Sequence, residues 1–217
     1  MSDMKAAVSE SLTVKAPAFQ TARFTIRGTA PLVMNRFSQK AQETIRAGQA
    51  AGSPSRNRRQ RAAKDFDACY EGAKHVSSEG WLGFPASAIR CACVDACRLV
   101  GFPMTKAKLC LFTVADGFDA QDGTPLFRVN GEPEKCEHYV RNETGVVDMR
   151  ARCMVREWTA QLRIRFDSDQ FTLEDVTNLL ARVGTQCGIG EGRPNSKKST
   201  GMGWGTFEVV GQVEVIS

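Results

Sequence analysis

The residues with the most chemistry to offer lie near the C-terminus, in the stretch CGIGEGRPNSKKSTGMGWGTF from Cys187 to Phe207. Its glycines at 188, 190, 192, 201, 203 and 205 permit positive φ and let the backbone run close to another object. Amides exposed in this way can cradle phosphates. Arg193, Lys197 and Lys198 add positive charge, and Trp204 adds a stacking surface. The stretch lacks the G-K-[S/T] that opens a helix in nucleotide-phosphate loops. No helix follows it, as a dinucleotide fingerprint would require. No cofactor is therefore expected. A loop of this composition also serves simply to join a helix to an edge strand.

Other reactive residues give weaker signals. The eight cysteines are Cys69, Cys91, Cys93, Cys97, Cys110, Cys136, Cys153 and Cys187. Zinc sites want paired C-x2-4-C modules. The nearest run, CACVDAC, places Cys93 and Cys97 on one helix face with no second Cys/His pair beside it, so the cysteines read as small buried apolar residues. His75 and His138 are far apart in sequence, and both read as surface histidines. Asp116 and Asp119 fall in ADGFDAQDG, which reads as turns. Paired carboxylates and a Ser/His/Asp arrangement are not apparent, and no catalysis is expected.

Charge points more clearly. The net charge is +5, yet residues 36–64 hold eight cations (Arg36, Lys40, Arg46, Arg56, Arg58, Arg59, Arg61, Lys64) against Glu43. A cationic segment on an otherwise balanced chain suggests a polyanionic partner. A solvated loop is the plainer reading. The 42% apolar content suffices for a core. No apolar run is long enough to span a bilayer, and no secretory signal is evident at the start, so a cytoplasmic protein without membrane contact is expected.

These residues need elements to hold them. The first 18 residues read as a tail, and residues 19–217 as one domain with a basic, partly helical insertion over 36–75 and a glycine-rich loop over 187–206. A half-buried strand is expected around Phe24 and Ile26. A helix over GFPASAIRCACVDACRLVGF starts near Pro85 and stops at Gly101. KAKLCLFTVAD reads as a strand apolar on both faces from Leu109 to Val114. PLFRVNGEPEKCEHYVRN reads as a hairpin turning at Asn130-Gly131. From Trp158 to Phe166, apolar residues alternate with Thr159, Gln161, Arg163 and Arg165, as in a strand with one wet face. TLEDVTNLLARVG has a capping box, Thr172 with Asp175, and ends at Gly184. Phe207, Val209, Gly211, Val213 and Val215 alternate in a last strand. Two β-α-β halves with extra hairpins make an α+β, ferredoxin-like (RRM-type) sandwich the expected fold.

GFPASAIRCACVDACR resembles the segment that opens the first helix in the repeat-associated RNA-binding (RAMP) superfamily. GIGEGRPNSKKSTGMGWGTFEV is similar to that superfamily's glycine-rich loop and last strand. The nearest subgroup is the Cas7-like CRISPR backbone subunits; a small stand-alone phage or plasmid relative is the other form of the same resemblance. It covers roughly Phe24 to Val213. It implies a core that binds single-stranded RNA along a groove, and self-association into a filament, with other effector subunits as further partners. Ser87 and Arg90 match the helix-start motif, which lies near the nucleic-acid backbone in the superfamily. Gly188, Gly190, Arg193, Gly201 and Gly203 match its glycine loop.

The expected interface therefore comprises these residues with Arg36, Lys40, Arg56, Arg58, Arg59, Arg61, Lys197, Lys198 and Trp204. Arg163 and Arg165 supply a basic sheet face. Phe37, Trp81 and Trp204 are candidate base stackers. Three rivals stay open: a single-stranded DNA-binding or annealing protein of a mobile element, an endoribonuclease of the same superfamily, and a protein that mimics a complex subunit.

Overall fold

The computed structural model describes residues 14–36, 46, 47, 50, 65–141, 147–196 and 201–216. The fold is mixed α+β and built on antiparallel sheets. Ten residues of alternating burial, Phe19–Gly28, form β1, with Ala22, Phe24 and Ile26 fully enclosed. β1 pairs antiparallel on one side with β11 (Phe207–Ile216) and on the other with β10 (Thr159–Asp167). The far edge of β10 is shared. Its C-terminal half pairs with β5 (Leu111–Val114), and its first residues pair with β7 (Pro125–Asn130). From β7 the sheet continues through β4 (Leu82–Pro85) to β3 (His75–Val76), with β6 (Gly117–Phe118) also on β7.

The helices over Ala86–Cys97 and Leu173–Arg182 complete the central pattern, and a third lies on the smaller sheet. The helix just before β3, α1 (Phe66–Glu71), is capped by Asp65 and packs against the second sheet. The helix between β4 and β5, α2 (Ala86–Cys97), buries Ile89, Ala92, Cys93, Val94, Ala96 and Cys97. Leu173–Arg182, the helix between β10 and β11, carries the expected capping box: the Asp175 amide donates to Thr172 Oγ1 at 3.1 Å, and the Thr172 amide returns to Asp175 Oδ2 at 2.9 Å. Val176, Leu179 and Leu180 join the core shared with Leu162, Ile164 and Phe166 of β10. Along β1, α2, β5, β10, this helix and β11, the strands lie in the order β11-β1-β10-β5, all neighbours antiparallel.

A three-stranded sheet, β2-β9-β8, comprises Leu32–Met34, Val147–Val155 and Pro133–Arg141. α1 lies on β9 and contributes Tyr70 to the core margin.

Three expectations about local structure change. KAKLCLFTVAD is not one strand: Met104–Cys110 is a helix, α3, preceded by Pro103, and the strand begins at Leu111. Ala107 and Cys110, three apart, are its buried face, while Leu109 is exposed. The helix over Leu173–Arg182 is thus α4. Asn130-Gly131 does not turn a hairpin. β7 and β8 belong to different sheets, and at Gly131 the chain crosses between them with φ 146°, where a Cβ would lie 2.4 Å from the Glu157 carbonyl. The long hairpin is instead β8 with β9. Gly184 does not end α4, which runs into a π-helical turn over Val183–Cys187 before Gly188.

Candidate nucleic-acid interface

Among the described residues, α2 and α4 share the core with one face of the main sheet and leave the other face to solvent. The strand alternation decides which side chains emerge there. β10 contributes Thr159, Gln161, Arg163 and Arg165; β1 contributes Phe19, Thr21, Arg23, Thr25 and Arg27; β5 contributes Phe112. The register sets Arg23 directly opposite Arg163 and Thr21 opposite Arg165. Two guanidiniums directly opposite on one sheet face repel each other. Each leans outward to a carboxylate: Arg23 to Glu214 at 3.4 Å and Arg163 to Asp116 at 2.9 Å. Arg27 pairs with Glu208 at 2.6 Å. Arg165 is exposed and has no carboxylate partner among the described residues; its guanidinium lies 4.6 Å from the Phe19 ring centroid. Ion pairs as exposed as these contribute little stability, so an anion can displace the carboxylates at low cost.

The described parts of the glycine-rich stretch, 187–196 and 201–206, are bound to the body. The Glu191 amide donates to the Val33 carbonyl at 2.9 Å, Ile189 to Gly205 at 3.0 Å, and Gly205 to Pro31 at 2.8 Å. Gly205 has φ 69°, and a Cβ there would lie 1.7 Å from the Ile189 carbonyl oxygen, so no other residue fits the crossing. Glu191 ties the loop to the second sheet. Its carboxylate takes Arg152 at 2.5 Å, with Arg150 and His138 Nε2 each at 3.8 Å. Trp204 meets the His138 ring edge-on at 5.3 Å. Burial lowers the His138 imidazole below its usual range, against the pull of Glu191.

The residues expected from sequence are distributed as follows. Gly188 and Gly190 lie in the docked part of the loop, and the Arg193 guanidinium donates to the Gly190 carbonyl at 3.1 Å. Gly201 and Gly203 have positive φ and open space where a Cβ would stand. Trp204 is half-buried against His138 and Gly192. Ser87 is exposed in the first turn of α2. Arg90 donates to the carbonyls of Leu111 (3.0 Å) and Lys108, satisfying the end of α3. Trp81 covers Gly83 and Gly117 and donates to Glu79 at 3.2 Å. Phe37, Lys40, Arg56, Arg58, Arg59, Arg61, Lys197 and Lys198 lie outside the described residues.

Arg36 has a different setting. Its side chain is 4% exposed, and its guanidinium reaches Asp119 at 3.0 Å, Asp122 at 2.9 Å and Gln121. Asp119 also receives His75 Nδ1 at 3.0 Å and the Gln121 amide at 2.9 Å. His75 is buried rather than superficial, and burial lowers its imidazole despite the hydrogen bond to Asp119. Burial raises the Asp122 carboxyl, but hydrogen bonds from Thr124 and Arg36 outweigh it and hold it at about 2. With Ala73 and Tyr70 packed at the core, the last third of the 36–75 segment is part of the body.

Five of the cysteines (93, 97, 110, 153 and 187) are buried, and all eight are free thiols. Burial pushes Cys153 up to about 11. No group of three or more potential metal ligands occurs among the described residues, and no helix there is long and apolar enough to cross a membrane. Neither a protein-family model nor a curated protein matches this chain.

Sequence reading missed the Arg36–Asp119–His75 cluster and the aromatic part of the open face. The alternation that revealed Phe24 and Ile26 as inward also assigns Arg23 and Arg27 outward, and would have found them. Phe112 was hidden by reading its segment as a strand buried on both faces.

Proposed function

We propose that this chain is a non-catalytic, cytoplasmic single-stranded RNA-binding protein whose copies line up along the strand, as in a CRISPR-effector backbone subunit of the RAMP superfamily or a stand-alone relative. The strand order β11-β1-β10-β5, with β1 and β5 parallel on either side of β10, supports a ferredoxin-like core. Such a core leaves one sheet face for a ligand. The observation that carries the reading is the row of Arg23, Arg27, Arg163 and Arg165 on that face, with Arg23 and Arg163 set against each other. A phosphate between them would relieve the repulsion and let both guanidiniums turn inward. Lys40, Arg56, Arg58, Arg59, Arg61, Lys197 and Lys198, which lie outside the described residues, are proposed as further contacts on their charge alone. Arg36 is left out of the contact set because its charge is neutralised internally. Exposed Tyr139 and Val147 on the β8–β9 hairpin favour contact between copies.

Gel shifts with RNA, single-stranded DNA and duplex oligonucleotides of one sequence test the reading. RNA is expected to be retained best, and Arg23→Glu with Arg163→Glu to abolish retention in a folded protein. Equal retention by that variant would refute it. Preference for DNA would favour the annealing-protein reading, since 2′-hydroxyl contacts separate the two. The His75–Asp119 contact is the one observation that favours a ribonuclease. Defined cuts in labelled RNA, lost on His75→Ala, would establish that instead.

A further inference from the structure

Charge alone does not account for one end of the open face. Phe19 and Phe112 emerge there with ring centroids 5.8 Å apart and planes at 65°. Phe112 remains 37% exposed. Between them on β10 stands Arg165, in register with Thr21 on one side and Phe112 on the other. Arg165 rests over Phe19, while Arg90 comes from α2 to within 5.1 Å of the Phe112 ring centroid. Arg90 is held by carbonyls on its other side. It therefore positions Phe112. Asp167, in register with Phe19, accepts the Asp169 amide at 3.0 Å.

Phenylalanine normally gains its stability by burial. Here two rings share a wet sheet surface with the one face arginine that lacks a carboxylate partner among the described residues. Flat rings offer stacking to any unsaturated planar group, and a free guanidinium beside them offers charge to an adjoining anion. A nucleotide has both parts, and every base has a π-face. We propose that Phe19, Phe112 and Arg165 form a stacking site for an unpaired base of single-stranded RNA, with Arg165 turning to the neighbouring phosphate. The proposal rests on the RNA-binding reading and adds a base-dependent contact to it.

The test uses the full chain and an adenine-rich RNA of about 12 nucleotides carrying 2-aminopurine. A second strand of equal length has abasic sites in place of bases. Wild-type protein should quench the 2-aminopurine. Phe112→Leu and Phe19→Leu should each abolish the quench and weaken binding by about 5- to 150-fold, the range corresponding to one lost stack. Affinity for the abasic strand should not change between wild type and variants. Should Phe112→Leu fail to fold, Phe112→Trp keeps a flat ring, and its indole fluorescence should fall on binding. Unaltered quench and affinity in both leucine variants, or an indole that does not respond, would overturn the stacking site and leave charge-driven RNA binding standing. If wild-type protein binds neither strand, the RNA-binding reading fails and this site fails with it.

Discussion

Arg36 and Arg165 are the same residue in opposite circumstances. Arg36 is enclosed, with two carboxylates and an amide oxygen around its guanidinium. Arg165 stands in solvent, lying on a phenyl ring. The first has its charge neutralised from within, although its Nε finds no hydrogen-bond partner among the described residues, and it fixes structure; the second has capacity left for something outside. Counting cations along the chain cannot separate the two, because the difference lies in which acids the fold brings near. Asp119 and Asp122 are more than 80 residues from Arg36 in sequence.

Breaking the enclosed cluster should have the largest effect. Arg36→Ala leaves Asp119 buried without its cation, which should cost about 3–5 kcal/mol of unfolding free energy, read by chemical denaturation. Oligonucleotide affinity per folded molecule should stay the same. Next, Gly205→Ala forces a Cβ into the Ile189 carbonyl at positive φ. It should cost about 3 kcal/mol and expose the Trp204 indole, visible as a red-shifted fluorescence maximum.

A smaller effect follows from pH. Burial sets the His75 and His138 imidazoles below the ordinary 6.5 in the folded chain. The unfolded chain then binds more protons between the two values. Their contribution is fully present above pH 6.5 and is lost as pH falls through the depressed folded values. Denaturation midpoints should decline as pH is lowered from 6.5 through the depressed imidazole values, and His75→Gln should flatten part of that slope.

Much of the fold was legible wherever one period ruled a segment. The alternation in β1 and β10 and the capped stripe of α4 depend on local pattern, and these elements stand where the pattern put them. The errors arose where long-range partners decide. MTKAKLC is helical because its Ala107 and Cys110 meet the core, and Asn-Gly fails to turn a hairpin because β7 finds β10, β4 and β6 while β8 finds β9. The candidate site was expected from charge and glycine; the geometry of the open face was not. Nothing local in sequence shows that Arg90 is bound by carbonyls from 18 and 21 residues away, or that Phe19 and Phe112 converge.

The salt dependence of the proposed RNA binding tests the open face most directly. Fluorescence anisotropy of a labelled single-stranded RNA, repeated from low to moderate salt, gives the slope of log K against log salt. If Arg163 and Arg165 each neutralise a phosphate, Arg163→Gln with Arg165→Gln should weaken binding and make the slope shallower by about 1.4, or about 0.7 per contact. A double variant with wild-type affinity and slope would show that the strand does not lie on this face.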